Sequence, residues 1–282
     1  FMKIEIDEII KLAYKHCEPN IIIIPTNGLL PTAVKNKTES ILKDCPKARL
    51  TINLSIDGIA EQHDYIRGMP GNWKRSLETL ENLKSLKHYP NLEIGVHTVI
   101  SKLNVKSFKE IQDYILENFK PDSYITEIAE ERAELSSLGK DISPDYEEYS
   151  NAIEHLIQHL KSKKHLTAKQ RFRLKYYEMV KNWRKEKTQI YPCFAGWASC
   201  QIDSKGEIWM CCTRAQSIGN LRDVNYDFTK LWFNGRAAEQ RRSIKAKECH
   251  CPLASAAYSS IMFNPKGSGS VVFDMVKDKV IR

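Results

Sequence analysis

Apolar and polar positions form two kinds of block over the first 140 residues. Short and nearly continuous apolar runs predict strands at 20–25, 50–56, 92–100 and 123–128. Helical spacing of apolar residues predicts helices at 4–16, 31–44, 73–86 and 105–119. Strands that alternate with helices indicate an α/β fold, with a parallel sheet and crossover helices. The continuous apolar character of the strands predicts that both faces of the sheet are buried.

The pattern changes after residue 140. Ser143 and Pro144, followed by acidic residues, predict the start of an amphipathic helix. A β-hairpin is predicted at 201–209, around Ser204-Lys-Gly206, and a basic helix at 233–247. The segment Lys266-Gly-Ser-Gly-Ser270 resembles a flexible linker, so we expect a loosely attached tail.

Charge adds one local feature. The 282-residue chain has a formal net charge of +8, and residues 161–187 hold eleven Lys or Arg against two Glu. The rest of the chain is therefore close to neutral. Because apolar residues are interleaved with these charges, a solvated helical face explains the segment. An acidic partner, such as a phosphorylated substrate, a lipid surface or RNA, is the alternative, although the sequence does not favour nucleic acid.

The cysteines are the candidate metal ligands of the chain. Eight cysteines are too few for a disulfide scaffold, and no secretory signal or apolar run of membrane-spanning length is present, so we expect a cytoplasmic protein. Thiolates gathered from distant loops bind soft metals or iron–sulfur clusters. The predicted metal ligands are Cys193, Cys211, Cys249 and Cys251, with Cys212 or His250 as a further candidate. Cys17 and Cys45 are expected to be buried apolar residues.

Polar residues follow the predicted strands of the first half. They are Thr26, Asn27, Ser55, Asp57, His97, Thr98 and Glu127. Ligands of parallel α/β sheets bind at the carboxyl ends of the strands. Each residue alone could be a cap or turn residue, but together they suit a small polar ligand.

Two groups of motifs resemble one known family. The first comprises Leu54-Ser-Ile-Asp-Gly58, His63-Asp-Tyr-Ile-Arg-Gly68 and Gly71-Asn-Trp73. These are similar to the central segment of radical S-adenosylmethionine (AdoMet) enzymes. The second comprises Cys193 with Gly196, Gly206 to Cys211, Gly219-Asn220, Trp232 and the pair Cys249 and Cys251. It resembles the C-terminal SPASM or twitch extension of the same family, which carries auxiliary four-iron four-sulfur clusters.

The resemblance implies a partial (β/α)6 barrel that lacks its first units, followed by a small C-terminal β-hairpin and helix iron–sulfur domain. It implies an AdoMet site at Thr26, Asn27, Ser55, Asp57, Arg67, His97 and Thr98. Ser55 and Asp57 would lie near the ribose or methionyl end, Arg67 near the carboxylate, and His97 or Thr98 near the ribose. The expected reaction is hydrogen abstraction by a 5′-deoxyadenosyl radical, and the expected substrate is a peptide or small molecule. A reductant such as flavodoxin or ferredoxin is the expected partner.

The chain also departs from the family. The CxxxCxxC motif that binds the catalytic 4Fe–4S cluster is absent, so we expect a chain truncated at its N-terminus and inactive on its own. The Cys-x-Cys end replaces a common Cys-x-x-Cys. The expected organisation is a partial barrel at 1–140, a helical insert or linker at 141–190, a SPASM or twitch domain with an auxiliary 4Fe–4S cluster at 191–263, and a flexible tail at 264–282.

One alternative belongs to a different class. Four thiolates, or three with His250, would satisfy tetrahedral zinc, and the basic segment would then contact an acidic partner such as RNA. Against this alternative, Cys193 and Cys211 do not form the close Cys-x-x-Cys pair of a zinc ribbon.

Overall fold

The computed structural model describes residues 1–280, apart from a few side chains, and divides into two compact units, Phe1–Glu127 and Ile128–Arg282. The first unit contains strands β1 (Ile21–Thr26), β2 (Arg49–Ser55), β3 (Leu92–Ile100) and β4 (Ser123–Ile128), the last of which ends one residue into the second unit. Its helices are α1 (Ile6–Cys17), α2 (Pro31–Asp44), α3 (Glu61–Arg67), α4 (Asn72–Lys84) and α5 (Phe108–Tyr114), which continues into a π-helical turn, Ile115–Phe119.

The four strands form one sheet in the order β1-β2-β3-β4. The pairs β1–β2 and β2–β3 are parallel, and Ser55, the last residue of β2, lies opposite His97 of β3. The predicted α/β class and sheet are confirmed, and their strand boundaries agree with the sequence to within about one residue.

One face of this sheet differs from the prediction. Ile22, Ile24, Leu50, Ile52 and Leu54 are buried, as continuous apolar strands require. Along β1, however, buried and exposed positions alternate, and Ile21 and Ile23 are 55% and 58% exposed. The prediction of burial on both faces is therefore wrong for β1, whose opposite face is open.

The helices of the first unit follow the predictions with one omission. Pro31 begins α2, as its fixed φ favours. The prediction missed α3, because its seven residues bury only His63 and show no apolar stripe. In α1, none of the residues is buried, although the helix is amphipathic in sequence.

The second unit begins with two long helices, α6 (Tyr146–Lys161) and α7 (Ala168–Glu186). Asp145, rather than the predicted Ser143, caps α6, because its carboxylate accepts a hydrogen bond from the Glu148 N–H at 2.8 Å. The basic segment is partly neutralised by α6, since Lys181 pairs with Glu154 at 2.6 Å. Arg171 and Arg173 are buried, so the segment is not simply a solvated face.

A small antiparallel sheet follows, with β5 (Gln201–Ile202), β6 (Glu207–Trp209) and β7 (Ser217–Asn220) in that order. The predicted hairpin is present as the β5–β6 pair, and Gly206 provides the positive φ of its turn. The helix α9 (Gly235–Lys245) corresponds to the basic helix predicted at 233–247, and a short helix, α8 (Phe228–Trp232), precedes it. A separate hydrophobic core includes Ile208, Met210, Ile218, Leu231 and Ile244.

The chain continues through α10 (Ala254–Phe263) and α11 (Pro265–Val280). The predicted flexible linker at 266–270 is instead the first part of α11, because the Asn264 side chain accepts hydrogen bonds from the N–H groups of Lys266 and Gly267. A Cβ on Gly267 would lie 2.5 Å from the Ile261 carbonyl oxygen, so the absent side chain permits close packing on α10. Within the described residues, no helix is both long enough and apolar enough to cross a bilayer.

Candidate metal centre

Four half-buried cysteines surround the small core of the second unit. Cys193, Cys211, Cys249 and Cys251 all pack against the core formed by Ile208 and its neighbours. Charge on one thiolate affects the next, since Cys211 and Cys249 each raise the pKa of Cys193, and Cys211 raises the pKa of Cys251. The fold therefore gathers thiols that are up to 58 positions apart in the chain (251 − 193).

Burial sets the protonation of three of these thiols. It raises the pKa of Cys193 and Cys211, and it raises the pKa of Cys251 to about 12, with a smaller contribution from the nearby Glu130 carboxylate. Without a cation these three thiols are therefore neutral at physiological pH. A bound metal reverses this preference, because a coordinated thiol is deprotonated.

Hydrogen-bond donors face three of the sulfurs. Backbone N–H groups of Ala195 and Leu253 lower the pKa of Cys193 and Cys251, respectively, and those of Arg214 and Thr213 lower the pKa of Cys211. These shifts are smaller than those from burial, but N–H groups directed at sulfur stabilise thiolate ligands and tune the potential of an iron–sulfur cluster. The donor set and its surroundings thus fit a thiolate-bound group.

The next feature of the thiol site is its geometry as a possible site for a single metal ion. Within the described part of the chain, no three His, Cys, Asp or Glu side chains converge closely enough to hold a single metal ion. A cavity beside the cysteines is lined by Cys193, Cys249 and Cys251 together with Trp183, Gln189 and His250. Three of the four thiols thus border the same cavity.

The other cysteines differ from this set. Cys212 is buried within the small hydrophobic core, so the structure gives it a packing role. Cys45 is buried as predicted, whereas Cys17 is exposed at the end of α1, where the prediction of burial is wrong. The reason is that α1 buries none of its residues.

The seven residues that the resemblance assigns to an AdoMet site all lie in the first unit. Thr26, Asn27 and Ser55 line one surface cavity at the carboxyl ends of β1 and β2. On the next strand, His97 lies 3.7 Å from Glu127, between Nε2 and Oε1. These residues form a polar rim, as the sequence predicts for the carboxyl ends of parallel strands.

The remaining three predicted residues have partners inside the protein. Arg67 forms an ion pair with Asp57, with 2.9 Å between Nε and Oδ2. The other carboxylate oxygen of Asp57 accepts a hydrogen bond from the Val99 N–H at 2.8 Å. Thr98 is fully buried, and its hydroxyl donates to the Ile56 carbonyl oxygen at 2.6 Å. Asp57, Arg67 and Thr98 thus secure the rim from within.

Two neighbouring residues, His63 and Asp64, had no predicted role. The Nδ1 atom of His63 accepts a hydrogen bond from the Asp57 N–H at 3.2 Å, and burial lowers the pKa of His63 to about 4. Asp64 accepts bonds of 2.6 Å from the N–H groups of Gly71 and Trp73. The pair therefore holds together the turn that follows β2, and its place in the family-like motif was the available signal.

Part of this chain is similar to a known domain, and most of it is similar to known enzymes. Residues 193–252 match SPASM, an iron–sulfur cluster-binding domain. The chain is 24% identical over 251 residues to the AdoMet-dependent heme synthase of Methanosarcina barkeri, covering 82% of this chain and 66% of that protein. It is 26% identical over 210 residues to the AdoMet-dependent heme synthase of Oleidesulfovibrio alaskensis, covering 70% and 51%. The chain thus spans between one half and two thirds of these relatives.

Solved structures give the same fold. Hexahistidine-tagged anSMEcpe with bound AdoMet matches with a TM-score of 0.54 and 16% identity, covering 83% of this chain and 60% of that chain. Native anSMEcpe with bound AdoMet and the Kp18Cys peptide matches with a TM-score of 0.51 and 15% identity, covering 77% and 58%. At these identities the likeness concerns the fold, which is a partial α/β barrel with a C-terminal domain.

Proposed function

We propose that this chain functions in radical-based hydrogen abstraction with an auxiliary 4Fe–4S cluster, because it is similar to AdoMet-dependent enzymes and its residues 193–252 match a SPASM domain. The proposed cluster ligands are Cys193, Cys211, Cys249 and Cys251. The observation that carries the proposal is the gathering of these four thiols around one small core, with backbone N–H groups directed at three of the sulfurs.

The match of residues 193–252 to an iron–sulfur cluster-binding domain favours a cluster over zinc. Four thiolates on one zinc ion all lie about 2.3 Å from a common centre. The thiolates of a four-iron cluster each bind a different iron, so they are spread more widely. Cys193, Cys211, Cys249 and Cys251 all lie within the matched range and pack against one small core, so they are the proposed ligands of such a cluster.

The polar rim of the first unit is the proposed AdoMet site. Thr26, Asn27 and Ser55 offer hydroxyl and amide groups at the open ends of β1 and β2, and His97 adds an imidazole from β3. When bound with a reduced catalytic cluster, AdoMet supplies the radical that abstracts hydrogen. The role of Asp57 and Arg67 in this proposal is to hold the rim rigid through their ion pair. Ligation of the catalytic cluster is not assigned to any residue of this chain.

The proposed substrate is a peptide or a small molecule. The curated relatives are named heme synthases, and anSMEcpe was solved with a peptide. Net oxidation of either substrate requires an electron acceptor, which the auxiliary cluster can provide. A reductant such as flavodoxin or ferredoxin completes the proposed set of partners.

Metal content tests the proposal. The chain is purified without oxygen and analysed for iron, acid-labile sulfide and zinc, beside a Cys193→Ala, Cys211→Ala variant. We expect about four irons and four sulfides per chain, lost in the variant. One zinc without sulfide would contradict the cluster and favour a zinc-binding interaction module.

A further inference from the structure

We propose that α7 is the element that positions the cluster-binding segment 249–252, with Tyr176 and Trp183 as positioning residues. This inference rests on the proposed cluster site, because the segment contains two of its four cysteines. It gives a specific task to a helix that precedes the SPASM domain in the chain.

Three hydrogen bonds connect this helix and the turn after it to the segment. The Tyr176 hydroxyl donates to the Pro252 carbonyl oxygen at 3.1 Å. The Trp183 Nε1–H donates to His250 Nδ1 at 3.0 Å. Beyond the helix, the Gln189 Nε2–H donates to the Cys249 carbonyl oxygen at 2.8 Å. The segment is thus held at three of its four residues.

The helix presents these donors from a rigid position. Tyr176 and Trp183 are separated by seven residues, which is close to two helical turns, so both lie on one face. Their side chains are only 1% and 8% exposed. Lys187 ends the helix in a left-handed conformation and places its ammonium group 5.0 Å from the centre of a Trp183 ring. Neither donor can move without disturbing the packing of α7.

The contacts also define the role of His250. Cys249 and Cys251 pack against the small core, whereas His250 lies beside Trp183, with 6.1 Å between ring centres. Cys249, His250 and Cys251 line the same cavity as Trp183, so the Trp183–His250 hydrogen bond lies beside the two thiols. His250 acts as the anchor of the segment, and its Nδ1 is occupied by Trp183.

The test uses the full chain with its cluster assembled. Trp183→Phe and His250→Ala each remove one side of the same hydrogen bond, and His250→Asn retains an acceptor oxygen near the position of Nδ1. The rate of cluster loss to an iron chelator is followed by visible absorbance, and the reduced cluster is examined by electron paramagnetic resonance. Trp73→Phe in the first unit is the control for loss of a packed indole.

We expect Trp183→Phe and His250→Ala to accelerate cluster loss by about 10-fold or more, as happens when groups that orient metal ligands are removed. Both should alter the resonance signal, and the double variant should be no worse than the more severe single variant. His250→Asn should restore slow loss. Tyr176→Phe, which deletes only the hydroxyl bonded to Pro252, should accelerate loss in the same direction.

Three results would overturn the inference. Wild-type rates and signals in both Trp183→Phe and His250→Ala would remove the positioning role. Loss of iron in His250→Ala with full retention in Trp183→Phe would make His250 a ligand. If His250→Asn did not restore slow cluster loss, the effect of His250→Ala would not come from the lost hydrogen bond. Because His250 is exposed, its variants test the idea even where Trp183→Phe folds poorly. Absence of iron from the wild-type chain would instead refute the proposed cluster.

Discussion

The two units use buried polar groups in opposite ways. In the first unit, Asp57 and Arg67 satisfy each other, and Asp57 and His63 also bond to backbone groups, so the polar rim is supported without any bound group. In the second unit, burial is the largest influence on the thiols of Cys193, Cys211 and Cys251, and it raises the pKa of each. The comparison indicates that the polar rim is held by bonds within the first unit, whereas the buried thiols of the second unit suit the metal centre proposed above.

Removal of the thiols should therefore affect the two units unequally. We expect Cys193→Ala, Cys211→Ala to lower the free energy of unfolding of the 193–252 region by more than about 4 kcal/mol, as expected for loss of a structural metal centre. Hydrogen exchange followed by mass spectrometry resolves the two units within the whole chain. Amides in β1–β4 should keep their protection.

Cys17→Ala is the matched control, because Cys17 is an exposed thiol outside the site. It should leave exchange in both units unchanged. Equal loss of protection in both units of the double cysteine variant would show that the units do not differ in their dependence on metal.

The second prediction concerns the ion pair of Asp57 with Arg67 in the first unit. Asp57→Ala leaves the Arg67 guanidinium and the Val99 N–H without their acceptor. We expect the first unit to lose about 3–4 kcal/mol, since removal of one partner of a largely buried ion pair leaves an uncompensated charge. Urea unfolding monitored by hydrogen exchange measures this loss. Iron content should not change.

Lys84→Ala provides the comparison for an exposed ion pair in the same unit, because Lys84 pairs with Glu81 on the surface of α4. Its effect should stay below about 1 kcal/mol. If Asp57→Ala were equally mild, the rim would not depend on its internal ion pair.

The fold was largely predictable because its strands carry local information. The run Ile21-Ile-Ile-Ile24 predicts β1 from its own residues, and the hairpin around Gly206 is defined by its turn. The helix α3 was missed because its position depends on contacts of His63 and Asp64 with residues outside the helix. The linker prediction was wrong because a cap at Asn264 and packing against Ile261 outweigh the composition of 266–270.

The candidate ligands could be predicted from the sequence, whereas the residues that hold the ligand segment in place could not. Cysteine is a ligand by residue type, so Cys193, Cys211, Cys249 and Cys251 could be selected without coordinates. The bonds from Tyr176 to Pro252 and from Trp183 to His250 join residues 76 and 67 positions apart. A single sequence contains no pattern for such pairs, because a tyrosine or tryptophan on an apolar helix face is typical of any core.

The third prediction concerns the pH dependence of the unfolding free energy, which should differ between the two units. The pKa of His63 is lowered to about 4, and the unfolded chain takes up its proton near the ordinary value of 6.5. The unfolded state therefore binds more protons between pH 6.5 and 4, so stability of the first unit falls as pH decreases through this window. The slope from His63 is at most roughly 1.4 kcal/mol per pH unit. Protonation of Nδ1 would also break the bond from the Asp57 N–H.

A His63→Asn variant retains an acceptor oxygen and removes the titration. Its unfolding free energy, measured from pH 7 to pH 4, should decline less steeply than that of the wild type in the first unit alone. Parallel slopes would contradict the assignment to His63, whatever the absolute stability of the variant.

The smallest expected effect concerns the start of α7 and separates stability of the second unit from metal binding. The Thr167 hydroxyl accepts a hydrogen bond from the Gln170 N–H at 3.2 Å, and the Gln170 side chain accepts one from the Thr167 N–H at 2.9 Å. We expect Thr167→Ala to cost about 1 kcal/mol in the second unit, and Thr167→Ser, which keeps the hydroxyl, to cost much less. Because Thr167 lies more than two turns before Tyr176, iron content and the resonance signal should stay at wild-type values in both variants. A loss of iron in Thr167→Ala would mean that the thiol site senses the stability of α7 as a whole and not the individual contacts from Tyr176 and Trp183.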